Sequence, residues 1–242
     1  STGKYYILSE CNDDNYTDFI TITRINDNQS ICDFARTIDD EDDFEYEIES
    51  KEDSSFLFFD TETTGLPKDW DAPASNIDNW PRLVQIGWVL YDKLGNLILE
   101  DKYIINPVDF SIPTEAINVH GITTEIAITE GVNLHTVLEN FLDLVNNSDV
   151  LIGHNIQFDQ NVIGAELIRN GFANTLETKK KFCTMKSTVD FCRIDGPYGY
   201  KWPKLIELYN ILFSKGFNQH DALDDIKATA ECYWELKRRE MF

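Results

Sequence analysis

Hydrophobic positions along the chain change their spacing several times, and each change marks an element. Phe56-Leu57-Phe58-Phe59 is apolar at every position, the pattern of a central strand covered by helices on both faces. Arg82 to Tyr91 and Leu97 to Ile105 read as two longer strands joined by the turn Asp92-Lys93-Leu94-Gly95-Asn96, so the first three strands should form an antiparallel meander. Leu134, Val137, Leu138, Phe141, Leu144 and Val145 recur at helical spacing, and Asn133 is placed to cap that helix. His135 falls off the apolar stripe and reads as a surface histidine. Val150 to Ile152 predicts a fourth strand, Phe158 to Arg169 a helix closed by Gly171, and Phe182 to Met185 a fifth strand. Helices from Pro203 through Phe213 and from Ala222 to about Arg239 follow. Hairpin-linked strands followed by alternating helices and strands predict an α/β fold with a mixed sheet flanked by helices.

Residues 1–53 read differently. Tyr5 to Leu8 and Phe19 to Ile25 have β-type composition, and the acidic run Asp39 to Asp43 continues through Glu45, Glu47 and Glu49. The expectation is a small acidic β-rich arm or subdomain over 1–53, joined by a solvated linker to a second domain over 54–242.

A chain of 242 residues with 42% hydrophobic content is long enough for one full domain plus this appendage. No apolar stretch approaches the roughly 18 residues of a membrane span, and Ser1 to Glu10 lacks a signal-peptide pattern. No membrane partner and a cytoplasmic location are therefore expected, and a start at Ser suggests a trimmed or processed chain. Cys11, Cys32, Cys183, Cys192 and Cys232 include no Cys-x-x-Cys pair and are odd in number, which fits reduced, buried thiols.

The formal charge of -22 argues against a protein that grips nucleic acid over its whole surface. Its distribution is uneven: residues 1–54 hold 16 acidic against 4 basic side chains. From Leu176 to Ile206 the balance inverts, with Lys179, Lys180, Lys181, Lys186, Arg193, Lys201 and Lys204 against Glu177, Asp190 and Asp195. With a Debye length of about 8 Å at physiological salt, such a patch can act on a phosphate while distant carboxylates are screened. Lys179 to Lys181 equally fit a solvated turn.

Three segments carry candidate chemistry. Asp60 and Glu62 stand two apart at the end of a strand, which puts both carboxylates on one side; alone, such a pair is more often a polar exit into a turn. In His154-Asn155-Ile156-Gln157-Phe158-Asp159, Asp159 falls in the first helical turn, where it would otherwise serve as a capping carboxylate. In His220-Asp221-Ala222-Leu223-Asp224-Asp225, Asp221 can cap the last helix, Asp225 lies in its first turns, and His220 stays on the preceding loop. If Asp60, Glu62, Asp159 and Asp225 converge, each close pair repels by roughly 4 kcal/mol at about 4 Å and an effective dielectric near 20. Cations are then needed between them, and hard oxygen ligands select Mg²⁺ or Mn²⁺. Two such ions about 3.5 to 4 Å apart suit in-line phosphoryl displacement, and His220 is the natural general base for the attacking water.

Together these segments resemble the DEDDh 3′-5′ exonucleases, the group that includes the proofreading epsilon subunit of bacterial DNA polymerase III. Phe-Asp-Thr-Glu-Thr-Thr-Gly at 59–65 is similar to the first motif, His-Asn-x-x-Phe-Asp at 154–159 to the second, and His-x-Ala-Leu-x-Asp at 220–225 to the third. Ile112-Pro113 through Val119-His120-Gly121-Ile122-Thr123 resembles the loop after the third strand. The resemblance covers about residues 55 to 240. It implies a ribonuclease H-like, five-stranded mixed sheet, with Asp60, Glu62, Asp159 and Asp225 as metal ligands and His220 as general base. It also implies that Thr63, Leu66, His120 and Asn155 line the pocket for the terminal nucleotide. The implied reaction is two-metal-ion hydrolysis at a nucleic acid 3′ end, DNA rather than RNA, releasing 5′-mononucleotides.

The sequence departs from the epsilon pattern in two places. It stops soon after the last helix, with no polymerase-binding tail, so a polymerase partner is not expected, and its acidic N-terminal segment has no counterpart. The insertion Pro67 to Pro81 brings Trp70 and Trp80, either to stack on a base or to pin the loop. An exoribonuclease of the same chemistry is the rival enzyme. A non-catalytic binding module is disfavoured because all four carboxylates and the histidine are present. A phosphatase with an aspartyl nucleophile wants Asp-x-Asp and has no use for the other motifs.

Overall fold

The computed structural model describes residues 4–8, 21–25, 55–217 and 221–242. The chain divides into two compact units, residues 1–50 and 51–242. In the first, strands β1 (Lys4–Leu8) and β2 (Thr21–Ile25) pair antiparallel with Lys4 opposite Ile25. The acidic run from Asp39 to Glu49, and the expected linker with it, lie outside the described residues.

The second unit is built on a five-stranded sheet of β3 (Phe56–Thr63), β4 (Leu83–Tyr91), β5 (Leu97–Ile104), β6 (Val150–Gly153) and β7 (Lys180–Cys183), in the order β5-β4-β3-β6-β7. β3, β4 and β5 form the antiparallel meander, while β6 runs parallel to both β3 and β7. The mixed five-stranded sheet flanked by helices is as expected.

Alternation along β3 divides the core. Leu57 and Phe59 pack with α3 (Leu134–Asn147) and α4 (Ile156–Arg169), through Val137, Phe141, Val162 and Ile163. Phe56 and Phe58 face the other way, against Ile226, Ala230 and Tyr233 of α8 (Ala222–Arg238). A strand covered on both faces has no reason to alternate apolar with polar residues, which explains the continuous Phe56–Phe59 run. α7 (Leu205–Phe213) packs on the outer side of α8 through Leu208 and Leu212.

Asn133 caps α3 as expected, its side chain accepting from Thr136 N at 3.3 Å. His135 is exposed near Glu139. Two short helices, α1 (Thr114–His120) and α2 (Thr124–Glu130), escaped the periodicity because each spans barely two turns. Two boundaries are corrected. The fifth strand is Lys180–Cys183, two residues earlier than expected, because Thr184 leaves the sheet to start the helical turn α5 (Thr184–Ser187). A second turn, α6 (Val189–Cys192), and the hairpin β8 (Asp195–Gly196) and β9 (Gly199–Tyr200) follow. Pro203 is not the first residue of α7: Lys204, extended at φ −69° and ψ 156°, is the N-cap, and the helix begins at Leu205.

Candidate active site

Period two sends Asp60 and Glu62 to the same face of β3 as Phe56 and Phe58, the face covered by α8, which carries Asp225. Asp60, Glu62 and Asp225 each offer a carboxylate oxygen, and the three oxygens lie within 4.8 Å of one another. Oxygens on an octahedral Mg²⁺ stand about 3 Å apart at adjacent positions and about 4 Å at opposite ones, so this all-oxygen set would draw together to hold a hard divalent cation.

Thr61 points to the opposite face, toward α4. Its amide donates to Asp159 Oδ1 at 3.0 Å and its hydroxyl to the same oxygen at 2.7 Å. The buried Asp159 is thus not a helix cap. It is held beside the three-carboxylate cluster by the residue between Asp60 and Glu62, a role that the Asp-x-Glu spacing alone does not disclose.

The turn from β6 into α4 is held from below. Asn155 adopts a left-handed conformation, φ 67°, which an Asn tolerates better than most side chains. His154 bridges Thr184 Oγ1 through Nδ1 and the Pro203 carbonyl through Nε2, both at 2.9 Å. The carbonyl can only accept, so Nε2 carries the proton. Burial lowers the His154 pKa to about 4, so the ring is neutral near pH 7.

Asp225 is positioned by the close approach of α8 to β4. Gln85 Oε1 accepts from Ala222 N at 2.9 Å. Asp221 caps the helix, accepting from Leu223 N and Asp224 N at 3.0 and 3.3 Å, and pairs with Lys102 Nζ at 2.6 Å. Gly87 makes the approach sterically feasible: a Cβ there would stand 2.8 Å from the Ala222 carbonyl carbon and 2.9 Å from Leu223 N. A glycine inside an otherwise apolar strand signals such an approach. His220, the expected general base, lies outside the described residues.

Electrostatics follow from the geometry. Asp60 is pushed well above the usual carboxylate range, first by burial and then by Asp159, Asp225, Glu62 and Asp221. Burial and the charges of Asp225, Asp159 and Asp221 raise Glu62 to about 8. Burial also raises Asp159 to about 7, against the opposing hydrogen bonds from Thr61. A site that strains to ionise its own carboxylates is one that a divalent cation would relieve.

The residues expected to receive a nucleotide lie on separate elements. Thr63 is buried at a register shift in β3 and donates to the Gly65 carbonyl at 2.7 Å. Leu66 is 72% exposed on the following turn. His120 ends α1, with Nδ1 accepting from Ile122 N at 3.1 Å. In the insertion, Trp80 is buried and both Trp70 and Trp80 pack on Phe158 of α4, at 5.7 and 6.4 Å between ring centroids. Trp80 therefore pins the loop, while Trp70 stays half-exposed. Buried Glu166 accepts from Arg82 Nε and Leu83 N at 2.8 and 3.1 Å and pairs with Arg169 Nη1 at 3.1 Å, tying the loop's end to α4.

The basic stretch after α4 is largely engaged within the fold. Lys179 donates to the Asn146 and Ser148 carbonyls, Lys181 to that of Glu177, and Lys201 pairs with Glu207. Among the described residues, no helix is long and apolar enough to cross a membrane.

Exodeoxyribonuclease I of Buchnera aphidicola is 28% identical over 210 residues, spanning 80% of this chain and 41% of that protein. The DNA polymerase III epsilon subunit of Treponema pallidum is 30% identical over 113 residues, 47% of this chain and 46% of the relative. Escherichia coli Exonuclease I, crystallised with a dA16 oligonucleotide, superposes with a TM-score of 0.63 at 21% identity, over 78% of this chain and 42% of that one. The chain thus spans less than half the length of these relatives, and the structural match speaks for the fold alone. The RNase T exonuclease family model matches residues 57–233, from the start of β3 into the last helix, and so takes in the strand, the β6–α4 turn and the helix that carry the acidic cluster: this chain belongs to that exonuclease family.

Proposed function

We propose that the chain is a 3′-to-5′ exonuclease that hydrolyses phosphodiester bonds at DNA 3′ ends and releases 5′-mononucleotides. The observation that carries this reading is the meeting of Asp60, Glu62 and Asp225 within 4.8 Å, with Asp159 fixed beside them by Thr61. These four carboxylates would hold two divalent cations, Mg²⁺ or Mn²⁺. When bound, such cations lower the pKa of an attacking water and offset charge on the leaving 3′-oxygen. The chain's own residues do the rest. The carboxylates fix the cations relative to β3 and α8, and His220 takes the proton from the attacking water. Thr63, Leu66, His120 and Asn155 receive the terminal nucleotide.

DNA is favoured over RNA because the relatives are named as an exodeoxyribonuclease and a DNA polymerase subunit. The exonuclease domain is assigned to 54–242 and the acidic arm to 1–53. The test digests matched 5′-labelled single-stranded DNA and RNA with Mg²⁺, Mn²⁺ or EDTA. A metal-dependent ladder shrinking from the 3′ end of DNA is expected. A folded, metal-binding protein that cleaves neither strand would overturn the reading in favour of a binding module.

A further inference from the structure

Between α6 and α7 the chain builds a surface that the acidic cluster does not use. The hairpin pairs Asp195 with Tyr200 and Gly196 with Gly199 across the turn Pro197-Tyr198, and Lys201 N extends the ladder to the Ile194 carbonyl at 2.9 Å. Gly199, at φ 118°, closes the turn where a side chain would be strained. Tyr198 stands in the turn, Tyr200 in β9 and Trp202 two residues beyond it, so three rings fall within five residues of the hairpin and its exit. Tyr198 is fully exposed, Trp202 62% exposed and Tyr200 48%. None of the three belongs to a buried cluster. Three large rings in five residues, all facing water, do nothing for the core, and such patches mark binding surfaces.

Two further observations give the patch its chemistry and its place. Lys186 Nζ stands 6.0 Å from the Trp202 ring, and exposed Arg193 and Lys204 flank the same segment. Lys186 also donates to Gln157 Oε1 at 3.0 Å, two residues before Asp159, and His154 holds the Pro203 carbonyl directly after Trp202. His154 thus holds the aromatic segment to the turn that leads into α4, and Lys186 stands between the Trp202 ring and Gln157 of the helix that carries Asp159. Rings flanked by cations beside a phosphodiester site match a single nucleic acid strand, whose bases stack and whose phosphates need positive charge. We infer that Tyr198, Tyr200 and Trp202, with Lys186, form a stacking platform for the single strand upstream of the 3′ end. This inference rests on the exonuclease reading and adds where the rest of the substrate lies.

The test compares the full chain with Tyr198→Ala, Trp202→Ala and the triple alanine variant on two substrates. One is a fluorescein-labelled oligothymidylate of about fifteen nucleotides, which reaches the platform; the other is the p-nitrophenyl ester of thymidine 5′-monophosphate, which does not. Each lost ring should lower the ratio of kcat/KM on the oligonucleotide to that on the ester by roughly 5- to 100-fold. Trp202→Phe and Tyr198→Phe should restore it, and Lys186→Gln should flatten the salt dependence of oligonucleotide binding by about 0.7 in log–log slope. Tyr198, fully exposed, can be truncated without disturbing the fold, so the test stands even if the triple variant misfolds. A wild-type protein that cleaves both substrates, with ratios unchanged in the alanine variants, overturns the platform alone. A wild-type protein that cleaves neither substrate overturns the exonuclease reading and the platform with it.

Discussion

The two faces of β3 carry the same alternating backbone and opposite energetics. On one face Leu57, Phe59 and then Thr61 look toward α3 and α4, and every group finds a partner: Phe59 meets the Phe141 ring edge-on at 5.2 Å, and both Thr61 donors end on Asp159. On the other face Phe56 and Phe58 are just as well packed, but the next two residues, Asp60 and Glu62, meet Asp225 with like charge at close range. One face stabilises the fold while the other holds repulsion in reserve for a cation. The two carboxylates proposed to hold the cations occupy the fifth and seventh positions of a strand whose first four are core.

That contrast is sharpest in Asp225→Asn. It removes one charge from the cluster, so nuclease activity should fall by at least about 10³-fold through lost cation binding. Without metal, the same change should raise the melting temperature, because Asp60 and Glu62 lose a repelling neighbour. The sign follows from linkage. Glu62, raised from an ordinary 4.5 to about 8, costs the fold nothing below its unfolded pKa and progressively more as pH rises through about 8. The metal-free wild type should therefore melt lower at pH 9 than at pH 5 because of this residue, and Asn at 225 should shrink that difference. Saturating Mg²⁺ should raise the wild-type melting temperature and leave the variant's nearly unmoved. Calorimetry in EDTA and in Mg²⁺ reads all three, and a variant less stable than wild type in EDTA would deny the repulsion.

Phe59→Ala tests the other face. A fully buried ring lost from the α3–α4 core should cost about 3–5 kcal/mol, read as the shift in denaturant midpoint. Activity per folded molecule should change far less than in Asp225→Asn. If it collapsed equally at full occupancy of the folded state, the two faces would not be separable.

How much of this was legible in the sequence follows the same division. The continuous apolar run of β3, the amphipathic α3 with its Asn133 cap, and the Asp221 cap of α8 all declare themselves, because burial and capping impose local patterns. The acidic residues were legible only jointly, since Asp60 and Asp225 are far apart in the chain and nothing local says that they meet. Short α1 and α2 left no periodic trace. The positioning residues were quieter still. Gly87 inside β4 was a readable sign of close approach, whereas Gln85 and His154 look like ordinary polar side chains until the fold brings Ala222 and Pro203 beside them.

The finest test joins the two faces. Thr61 belongs to the satisfied side by direction and to the repelling side by consequence, because its hydrogen bonds fix the carboxylate that adjoins the cluster. Thr61→Val keeps the shape and the amide bond but deletes the hydroxyl donor at 2.7 Å. Asp159 then loses one of the bonds that hold its pKa down, so its carboxyl should titrate above the present value of about 7. Its carboxylate also becomes freer to turn. Loss of an outer partner to a metal-ligating group typically weakens metal binding by about 10- to 100-fold. The Mg²⁺ concentration for half-maximal cleavage should rise by that factor, while the rate at saturating Mg²⁺ should recover most of its wild-type value. Affinity unchanged by the substitution would mean that Asp159 is oriented by α4 alone, and that the two faces of β3 act independently after all.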